Sequence, residues 1–493
     1  MFPGRLCYGP ANSGTPPVWG PLVDPGVTFW GRGGAPAISR RGKLLMKALR
    51  IHGVSTRLTV LGVILLAGAV GAVAPYFGAR LDAGTTRTPG VTTSAAAPSK
   101  TSPDAIGGGG SLTNGATGTG DTDGIVLSST TNAATPWLLH FSPLYMGGGK
   151  FTEAQAVAVA KNYDLIAEHT AVLTPYIAAM KAVNPALKIV AYLNGAFDLS
   201  PQGTTYPASW YAKDSKGNRV KSLMFGNWLM LPTPQWSSTV AGLCKTLLAQ
   251  SHYDGCFLDT LGVGPLLPGY VTGLPVNPAT HQVFTSSTWI TDQANTITTV
   301  KSANPSALVM ANGLADGQKF SQTSPLLVAA HTAMSEIFLR VSHNPESDFP
   351  STADWLQDVN MLTYAGAHGY GVMTVTKLWV NATAAQIEQW HRFTVATFLL
   401  GDAGLSGYCF TDAPTPAGLS LITPDDTVAI GTPTGAYALV SGVYRRTFTN
   451  GIVAVNPGSS PVTINLGGTM INLSGGHVSS EVLAPHTGEI FIK

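Results

Sequence analysis

After residue 136 the sequence alternates short apolar runs with longer stretches in which apolar residues recur every three or four positions. The short runs predict buried strands, and the longer stretches predict amphipathic helices. Helical spacing is clear in "TPYIAAMKAVN", "WSSTVAGLCKTLLAQS", "TWITDQANTITTVKSAN" and "TAAQIEQWHRFTVATFLL". The eight predicted strands are residues 137–142, 163–168, 187–194, 253–259, 307–312, 332–338, 369–376 and 403–410.

Repeated strand and helix units of this kind build a parallel sheet with helices packed outside it. Eight strands over about 275 residues fit a (β/α)8 TIM barrel, for which roughly 250 residues is usual. A doubly wound open sheet is the alternative, but "HFSPLYMGGGK" after the first strand lacks the glycine spacing of a dinucleotide-binding loop. The prediction is therefore an α/β fold with a catalytic barrel over residues 136–424.

The pattern changes beyond residue 425, where short strands are separated by turns. The pair Asn450-Gly451, within "GVYRRTFTNGIVAVNP", is a strong signal for a two-residue hairpin. The stretches "PVTINLGG", "TMINLSGG" and "GEIFIK" continue the pattern. Residues 425–493 are predicted to form a small antiparallel β-sandwich domain packed on the barrel.

Three segments of different composition precede the barrel. Residues 1–57 combine a Gly- and Pro-rich region with a basic flank, in which Met46 is an alternative start. Residues 58–79 form an apolar run of about the 20 residues that a membrane-spanning helix needs. Residues 80–135 are dominated by Gly, Ser, Thr, Ala and Pro, which cannot bury enough apolar surface to fold. The apolar run is expected to be a signal peptide or signal anchor, followed by a flexible linker.

The basic flank sets the expected location of the barrel. By the positive-inside rule the flank stays in the cytoplasm and everything after residue 80 is exported. An extracellular or cell-surface barrel is therefore expected, with the membrane as a partner through residues 58–79 only if that segment is not cleaved.

Charge and cysteine content exclude several classes of protein. Only 11% of residues are charged and the formal net charge is +2, so no nucleic-acid partner is expected. The four cysteines, Cys7, Cys244, Cys256 and Cys409, form no CxxC pair and no zinc-site spacing. For Cys244 and Cys256 two alternatives stay open, a disulfide between a helix and the next strand or two buried free thiols.

Two carboxylates follow apolar strands at positions that suggest catalysis. Asp259 ends the fourth predicted strand, "YDGCFLD", and Glu336 lies late in the sixth, "AMSEIF". Active sites of TIM barrels form at the C-terminal ends of the strands. Carboxylates that face each other across one bound group are what glycoside hydrolysis requires. The alternative for Glu336 is a buried ion pair with Arg340 or Lys377. Asp254 opens the fourth strand at the opposite rim, where a structural role is expected.

A sugar site also needs polar groups for hydroxyls and aromatic faces for the rings. The long segment after the third strand carries Trp210, Tyr211 and Trp228 and could form a substrate-facing loop. The predicted substrate-binding residues at or just beyond strand ends are His140, Tyr145, Asn194, Asn312, Lys377 and Tyr408.

Five stretches, "SWYAKDSKGNRV", "YDGCFLDTLG", "ALVMANG", "AMSEIF" and "RRTFTNGIVAVNPGSSPVTINL", together resemble the extracellular glycoside hydrolases grouped as hypothetical glycosyl hydrolase family 15. The resemblance covers nearly all of residues 136–493. "YDGCFLD" is also similar to the fourth strand of endo-α-1,4-polygalactosaminidase barrels, and an acid on strand six after Asp on strand four is similar to α-galactosidase barrels. The resemblance implies a nucleophilic Asp259 and a general acid/base Glu336, although the α-galactosidase pattern has Asp on strand six.

The predicted function is therefore an extracellular glycoside hydrolase that acts on a polysaccharide or oligosaccharide, as a monomer and without metal or cofactor. Retention of anomeric configuration is expected, because side chains two strands apart around a barrel favour the separation of roughly 5 to 5.5 Å found in retaining enzymes. A surface-tethered barrel that binds carbohydrate without cleaving it is the alternative. A polysaccharide deacetylase would need a metal set of His and Asp, for which the sequence shows no motif.

Overall fold

A computed structural model describes residues 138–144, 151–168, 171–412 and 422–493. Eight parallel strands pair in chain order, and His140 pairs with Tyr408 to join the last strand to the first. The predicted (β/α)8 barrel is confirmed. Its strands are β1 (Phe141–Leu144), β2 (Leu165–Glu168), β3 (Lys188–Asn194), β4 (Gly255–Asp259), β5 (Leu308–Leu314), β6 (Thr332–Ser335), β7 (Gly371–Lys377) and β8 (Gly407–Thr411).

Seven α-helices follow β1 to β7 in turn, and among the described residues none follows β8. Most begin at a Ser or Thr whose side-chain oxygen accepts a hydrogen bond from a first-turn backbone N–H, which satisfies a donor that the helix itself leaves unpaired. These capping residues are Thr152, Thr233, Thr285, Ser351 and Thr383. The helices are α1 (Glu153–Ala160), α2 (Ile177–Val183), α3 (Pro234–Gln250), α4 (Ser286–Ala303), α5 (Phe320–Ala330), α6 (Thr352–Ala367) and α7 (Ala384–Gly401).

Alternation along each strand divides the core into two layers. Val190, Phe257 and Met310 belong to one buried cluster, which fills the barrel interior. Their strand neighbours, such as Cys256 and Leu258, belong to the cluster that lies beneath the helices. A side chain on strand β4 therefore points inward at residue 257 and again at residue 259.

Residues 438–492 form a six-stranded antiparallel sheet with the order β9-β10-β11-β14-β12-β13, as the β-rich pattern predicts. One face packs on α7, where a Cβ added to Gly488 would lie 2.5 Å from that of Ala396. The sheet also has its own core, to which Ile464 on β12 and Phe491 on β14 contribute. The strands are β9 (Ala438–Val440), β10 (Val443–Phe448), β11 (Gly451–Asn456), β12 (Val462–Ile471), β13 (His477–Leu483) and β14 (Thr487–Ile492).

Cys244 on α3 and Cys256 on β4 form a disulfide, with their Cα atoms 6.0 Å apart, which settles the two alternatives left open by the sequence. The described part of the chain has no helix that is both long and apolar enough to cross a bilayer. The predicted segments 1–57, 58–79 and 80–135 lie outside the described residues.

Candidate active site

Three adjacent strands place polar side chains at one level of the C-terminal rim. Asn194, the last residue of β3, is directly paired with Asp259, the last residue of β4. Leu258 is paired with Ala311 on β5, so Asn312 is the next residue at the same height. The structure thus brings together Asp259 and the two asparagines predicted as substrate-binding residues.

Both carboxylate oxygens of Asp259 accept hydrogen bonds from uncharged side chains. Asn312 Nδ2 donates to Oδ1 at 2.7 Å, and the Tyr192 hydroxyl donates to Oδ2 at 3.0 Å. A carboxyl group whose two oxygens both accept has the hydrogen-bonding pattern of the anion. The rim therefore presents a carboxylate that is held in place without a cationic partner on either of these bonds.

Asn194 fixes the orientation of the Tyr192 hydroxyl, because backbone hydrogen bonds fix Asn194 itself. Asn194 Oδ1 accepts from the backbone N–H groups of Ala196 and Phe197, at 3.0 and 2.8 Å, which assigns its amide orientation. Asn194 Nδ2 then donates to the Tyr192 oxygen at 3.0 Å, so the Tyr192 proton is directed at Asp259. Burial, and next the charge of Asp259, raise the pKa of Tyr192 well above its ordinary value, so Tyr192 remains a neutral donor.

Glu336 is the first residue after β6, and its surroundings differ from those of Asp259. Its Oε1 lies 3.7 Å from Nζ of Lys377, the last residue of β7, and its side chain is 22% exposed. The Lys377 ammonium also lies 5.1 Å from the ring centroid of Trp379, whose Nε1 donates to Thr411 Oγ1 at 3.2 Å. The predicted contact between Glu336 and Lys377 is present, at a side chain that solvent still reaches.

Arg340, the other partner considered for Glu336, has its own backbone acceptors. Its Nε donates to the Lys377 carbonyl at 3.0 Å and its Nη2 to the Asn344 carbonyl at 2.6 Å. These two bonds tie together the segments that follow β6 and β7. Arg340 is therefore a buried structural residue next to the rim.

The backbone after β4 takes a conformation that L-residues rarely adopt. Thr260 has φ +65°, which is unusual for a β-branched residue, and its Oγ1 accepts from Asn194 Nδ2 at 3.3 Å. Two residues later, Gly262 lies against Gly313, where a Cβ added to Gly313 (φ +140°) would be 2.2 Å from the Gly262 nitrogen. The segment that leaves β4 is thus in direct backbone contact with the end of β5, beside Asp259.

Two of the predicted binding residues lie elsewhere. His140 precedes β1, and Tyr408 is the second residue of β8, so both lie toward the N-terminal end of the barrel, away from Asp259. The prediction began the eighth strand at residue 403, but the carboxylate of Asp402 accepts from the Gly404 and Ser406 N–H groups and holds that segment in a turn. The structure therefore does not bring His140 and Tyr408 to the rim beside Asp259, and Tyr145 lies outside the described residues.

The predicted sixth strand also extended too far, because β6 ends at Ser335 rather than at residue 338. The aromatic residues of the connection after β3 are partly structural. Tyr211 is buried and donates to Asp198 Oδ2 at 2.7 Å, and Trp228 is half-buried against Lys221. Within the described ranges, no group of three or more His, Cys, Asp or Glu side chains is arranged to hold a metal ion.

Sequence reasoning missed Tyr192 and Trp379 as members of the site. Tyr192 lies within the apolar run "KIVAYLN", where it reads as a core residue. The signal that could have found it is the two-residue period of a strand, which puts residues 192 and 194 on the same face. Trp379 follows β7 by two residues, and a similar argument from Lys377 would have found it.

Comparisons with known proteins give similarity to solved structures only. No protein-family model matches the sequence, and no curated protein matches it. The glycoside hydrolase domain of PelA from Pseudomonas aeruginosa is 16% identical, with 58% of this chain and 98% of that chain covered and a TM-score of 0.38. An Anoxybacillus α-amylase is 11% identical, with 72% and 98% covered and a TM-score of 0.40.

An α-amylase from Lactobacillus plantarum is 14% identical, with 73% of this chain and 98% of that chain covered and a TM-score of 0.39. These structural neighbours are glycoside hydrolases by name. At such identities and TM-scores the likeness assigns neither an activity nor a substrate to this chain.

Proposed function

We propose that the chain is a glycoside hydrolase in which Asp259 is the nucleophile and Glu336 the general acid/base. The observation that supports this most is the environment of Asp259, a strand-end carboxylate held by two neutral donors, Tyr192 and Asn312. A cationic partner would neutralise the carboxylate in an ion pair. With neutral donors, the negative charge of Asp259 can stabilise a developing oxocarbenium ion. The sequence resemblance to hypothetical glycosyl hydrolase family 15 points to the same chemistry.

In the proposed reaction Asp259 attacks the anomeric carbon while Glu336 donates its proton to the departing glycosidic oxygen. The bond between that carbon and oxygen breaks, and a glycosyl ester on Asp259 forms. Glu336, now a carboxylate, takes a proton from a water molecule whose oxygen attacks the anomeric carbon. The ester bond to Asp259 breaks, which releases the sugar and restores the Asp259 carboxylate.

The contact with Lys377 fits this cycle at one stage. When Glu336 has given up its proton its carboxylate carries a full negative charge, and the Lys377 ammonium at 3.7 Å stabilises that charge. The competing interpretation is a permanent ion pair that leaves no proton to donate. A barrel of that kind would bind carbohydrate without cleaving it, as in the alternative drawn from the sequence.

Reducing-end detection after incubation with a panel of soluble polysaccharides tests the proposal on the full chain. The panel includes amylose, β-1,3-glucan, xylan, galactan and partly deacetylated chitosan. Asp259→Asn and Glu336→Gln are near-isosteric and are expected to lower kcat at least about 1000-fold, which is about 4 kcal/mol, with little change in thermal stability. If either variant retains more than about a tenth of wild-type activity, that residue is not a principal catalyst.

NMR of the first-formed product tests the proposed retention. Asp259 ends β4 and Glu336 directly follows β6, two strands away. The short carboxylate separation of about 5 to 5.5 Å used by retaining enzymes leaves no room for an attacking water. The anomer of the substrate should therefore appear first. An inverted anomer would make Asp259 a general base that activates water.

We also propose that the barrel works outside the cytoplasm. The disulfide between Cys244 and Cys256 supports this, because such bonds persist in oxidising compartments and are rare in the cytosol. Cell fractionation should find the barrel outside the inner membrane, and protease should release it by cutting within residues 84–135. Recovery of the full-length chain from the cytosol would contradict this location.

A further inference from the structure

The connection from β3 to α3 builds a hairpin above the C-terminal rim. We call residues 221–228 the rim hairpin; it is closed by pairing of Lys221 with Trp228. Trp228 continues into a short ribbon in which it pairs with Asp198. The hairpin is therefore anchored on the barrel at the end of β3, the strand that carries Tyr192 and Asn194.

The tip of the rim hairpin is held rigidly by Ser222. The Ser222 hydroxyl accepts from the N–H groups of Met224 and Phe225, at 3.3 and 3.2 Å, and its carbonyl accepts from Gly226 at 3.0 Å. The Ser222 N–H donates to the Asn227 carbonyl at 2.8 Å. The side chains at the tip are thus displayed on a fixed backbone, which lowers the conformational entropy cost of binding to them.

This rigid tip exposes large apolar side chains. Leu223 is 58% exposed and Phe225 51%, and Leu199, just beyond the ribbon residue that pairs with Trp228, is 47% exposed. A loop tip is normally polar, so apolar side chains fixed in this way suggest a ligand surface. Three side chains cover far less than the roughly 800 Å² that each partner buries in a stable protein complex. Side chains this few suit a small apolar ligand surface, such as one face of a sugar ring, better than a protein partner.

The rim hairpin is physically continuous with the candidate active site. The Leu223 N–H donates to the Tyr270 carbonyl at 3.0 Å, and Ser222 pairs with Val271. Tyr270 interacts electrostatically with Tyr192, since it adds to the rise in the pKa of Tyr192 that burial and the charge of Asp259 mainly cause. Tyr192 in turn donates to Asp259. A chain of neighbouring residues therefore leads from the apolar tip to the reactive carboxylate.

We propose that Leu223, Phe225 and Leu199 form a binding subsite for the apolar face of a sugar ring in a polysaccharide whose scissile bond lies at Asp259. The inference rests on the proposed function and extends it, since it makes the substrate a polymer that spans several sugar residues. Lys221 and Asn227, half-buried at the base of the tip, supply polar side chains for the ring hydroxyls.

The test compares long and short substrates in the double variant Leu223→Ser with Phe225→Ser. On the panel polysaccharide that the wild-type chain cleaves, KM should rise roughly tenfold, as for loss of a binding hot spot. On the shortest oligosaccharide of the same polymer that is still cleaved, kcat/KM should be unchanged within about twofold. Val482→Ser is the matched control, because Val482 is an equally exposed apolar residue, at 63%, on the C-terminal sheet.

A binding assay separates failure of this inference from failure of the proposed function. Electrophoresis in gels that contain each panel polysaccharide should show retardation of Asp259→Asn, and the two tip substitutions added to it should abolish that retardation. Retardation that depends on the tip in a chain without any turnover would support the subsite and overturn the hydrolase.

Three results would overturn the subsite. One is equal loss of kcat/KM on long and short substrates, which would show a structural role. The second is an unchanged KM for the polymer. The third is a double variant that still binds the polymer but differs from the wild type in another property. A changed oligomeric state by light scattering would mean that the tip contacts a second copy, and lost binding to phosphatidylcholine vesicles would mean that it contacts a lipid surface.

Discussion

Asp254 and Asp259 lie on the same strand region, five residues apart, at opposite ends of the barrel. Asp254 Oδ1 lies 2.5 Å from Lys181 Nζ and 3.6 Å from Lys188 Nζ, and its Oδ2 accepts from the Ile189 N–H at 2.8 Å. Asp259 is held instead by the neutral donors described above. One carboxylate is neutralised by cations and joins secondary-structure elements, as its sequence position suggested.

The difference shows why a buried strand can carry two acids with separate tasks. A cation near a carboxylate lowers its reactivity as a nucleophile, because the ion pair must be broken before attack. Neutral donors fix the position of a carboxylate while leaving its charge uncompensated. The type of partner, rather than the acid itself, distinguishes Asp254 from Asp259.

Replacing each aspartate by asparagine should give the largest effect and separates the two roles. Asp259→Asn should remove turnover, at least about 1000-fold, with stability nearly unchanged. Asp254→Asn should keep the activity per folded molecule but lower the free energy of unfolding by about 1 to 3 kcal/mol, because Lys181 loses its partner. Reducing-end assays and urea denaturation measure the two effects. Similar profiles for both variants would refute the division of tasks.

The covalent link behind Asp259 offers the next largest effect. Cys256 lies three residues before Asp259 and is joined to Cys244 on α3. Replacing both cysteines by alanine should lower the free energy of unfolding by about 2 to 3 kcal/mol, chiefly through greater freedom of the unfolded chain. Differential scanning calorimetry checks this, and dithiothreitol should destabilise the wild type but not the double variant. Equal sensitivity of both would count against the bond.

Asp358 on α6 differs from both aspartates, because its carboxyl group accepts hydrogen bonds from two backbone N–H groups. The donors are Gly317, at 2.7 Å, and Leu339, at 3.3 Å. Burial raises its pKa to about 8. The folded state therefore keeps a proton that the unfolded state releases near pH 4, so this contribution to stability is lost as pH rises toward 8.

Asp358→Asn should change the slope of the free energy of unfolding against pH. The change is at most about 1.4 kcal/mol per pH unit, which corresponds to one proton. Urea denaturation of the wild type and the variant between pH 5 and 8 measures the difference in slope. Parallel curves would mean that Asp358 ionises alike in both states.

The smallest effect is expected from the neutral donors of Asp259. Tyr192→Phe removes one neutral donor and leaves Asn312, so kcat should fall about tenfold, near 1.4 kcal/mol, with KM little changed. Asn194→Asp is the companion change, since it removes the amide donor that orients the Tyr192 proton. An unchanged kcat in both variants would show that Asn312 alone positions Asp259.

Much of the fold could be predicted because apolar runs alternate with helical stretches, and all eight barrel strands lie where such runs were found. The first and last residues of the strands were harder to predict. The run "AGLSGYCF" suggested a strand from residue 403, but the turn set by Asp402 delays β8 until Gly407. Tyr408 is thus the second residue of β8, and it belongs to the cluster beneath the helices, whereas its neighbour Cys409 belongs to the cluster inside the barrel.

The site was predictable where a polar residue ends an apolar strand, as at Asn194, Asp259 and Asn312. It was not predictable where function depends on a hydroxyl inside a strand, as at Tyr192, because the sequence does not show which partner the hydroxyl meets. The contact of Glu336 with Lys377 was anticipated as an alternative, but its choice over Arg340 depends on loop paths after β6 and β7.

The touching glycines beside Asp259 bear on how the site moves. Because Gly262 and Gly313 are in backbone contact, the segment after β4 cannot slide along the end of β5 without separating two main chains. The Leu261 N–H also donates to the Asn312 carbonyl at 2.9 Å. The end of β5 and the segment after β4 should therefore move together, so that substrate meets Asp259 and Asn312 already in their mutual arrangement.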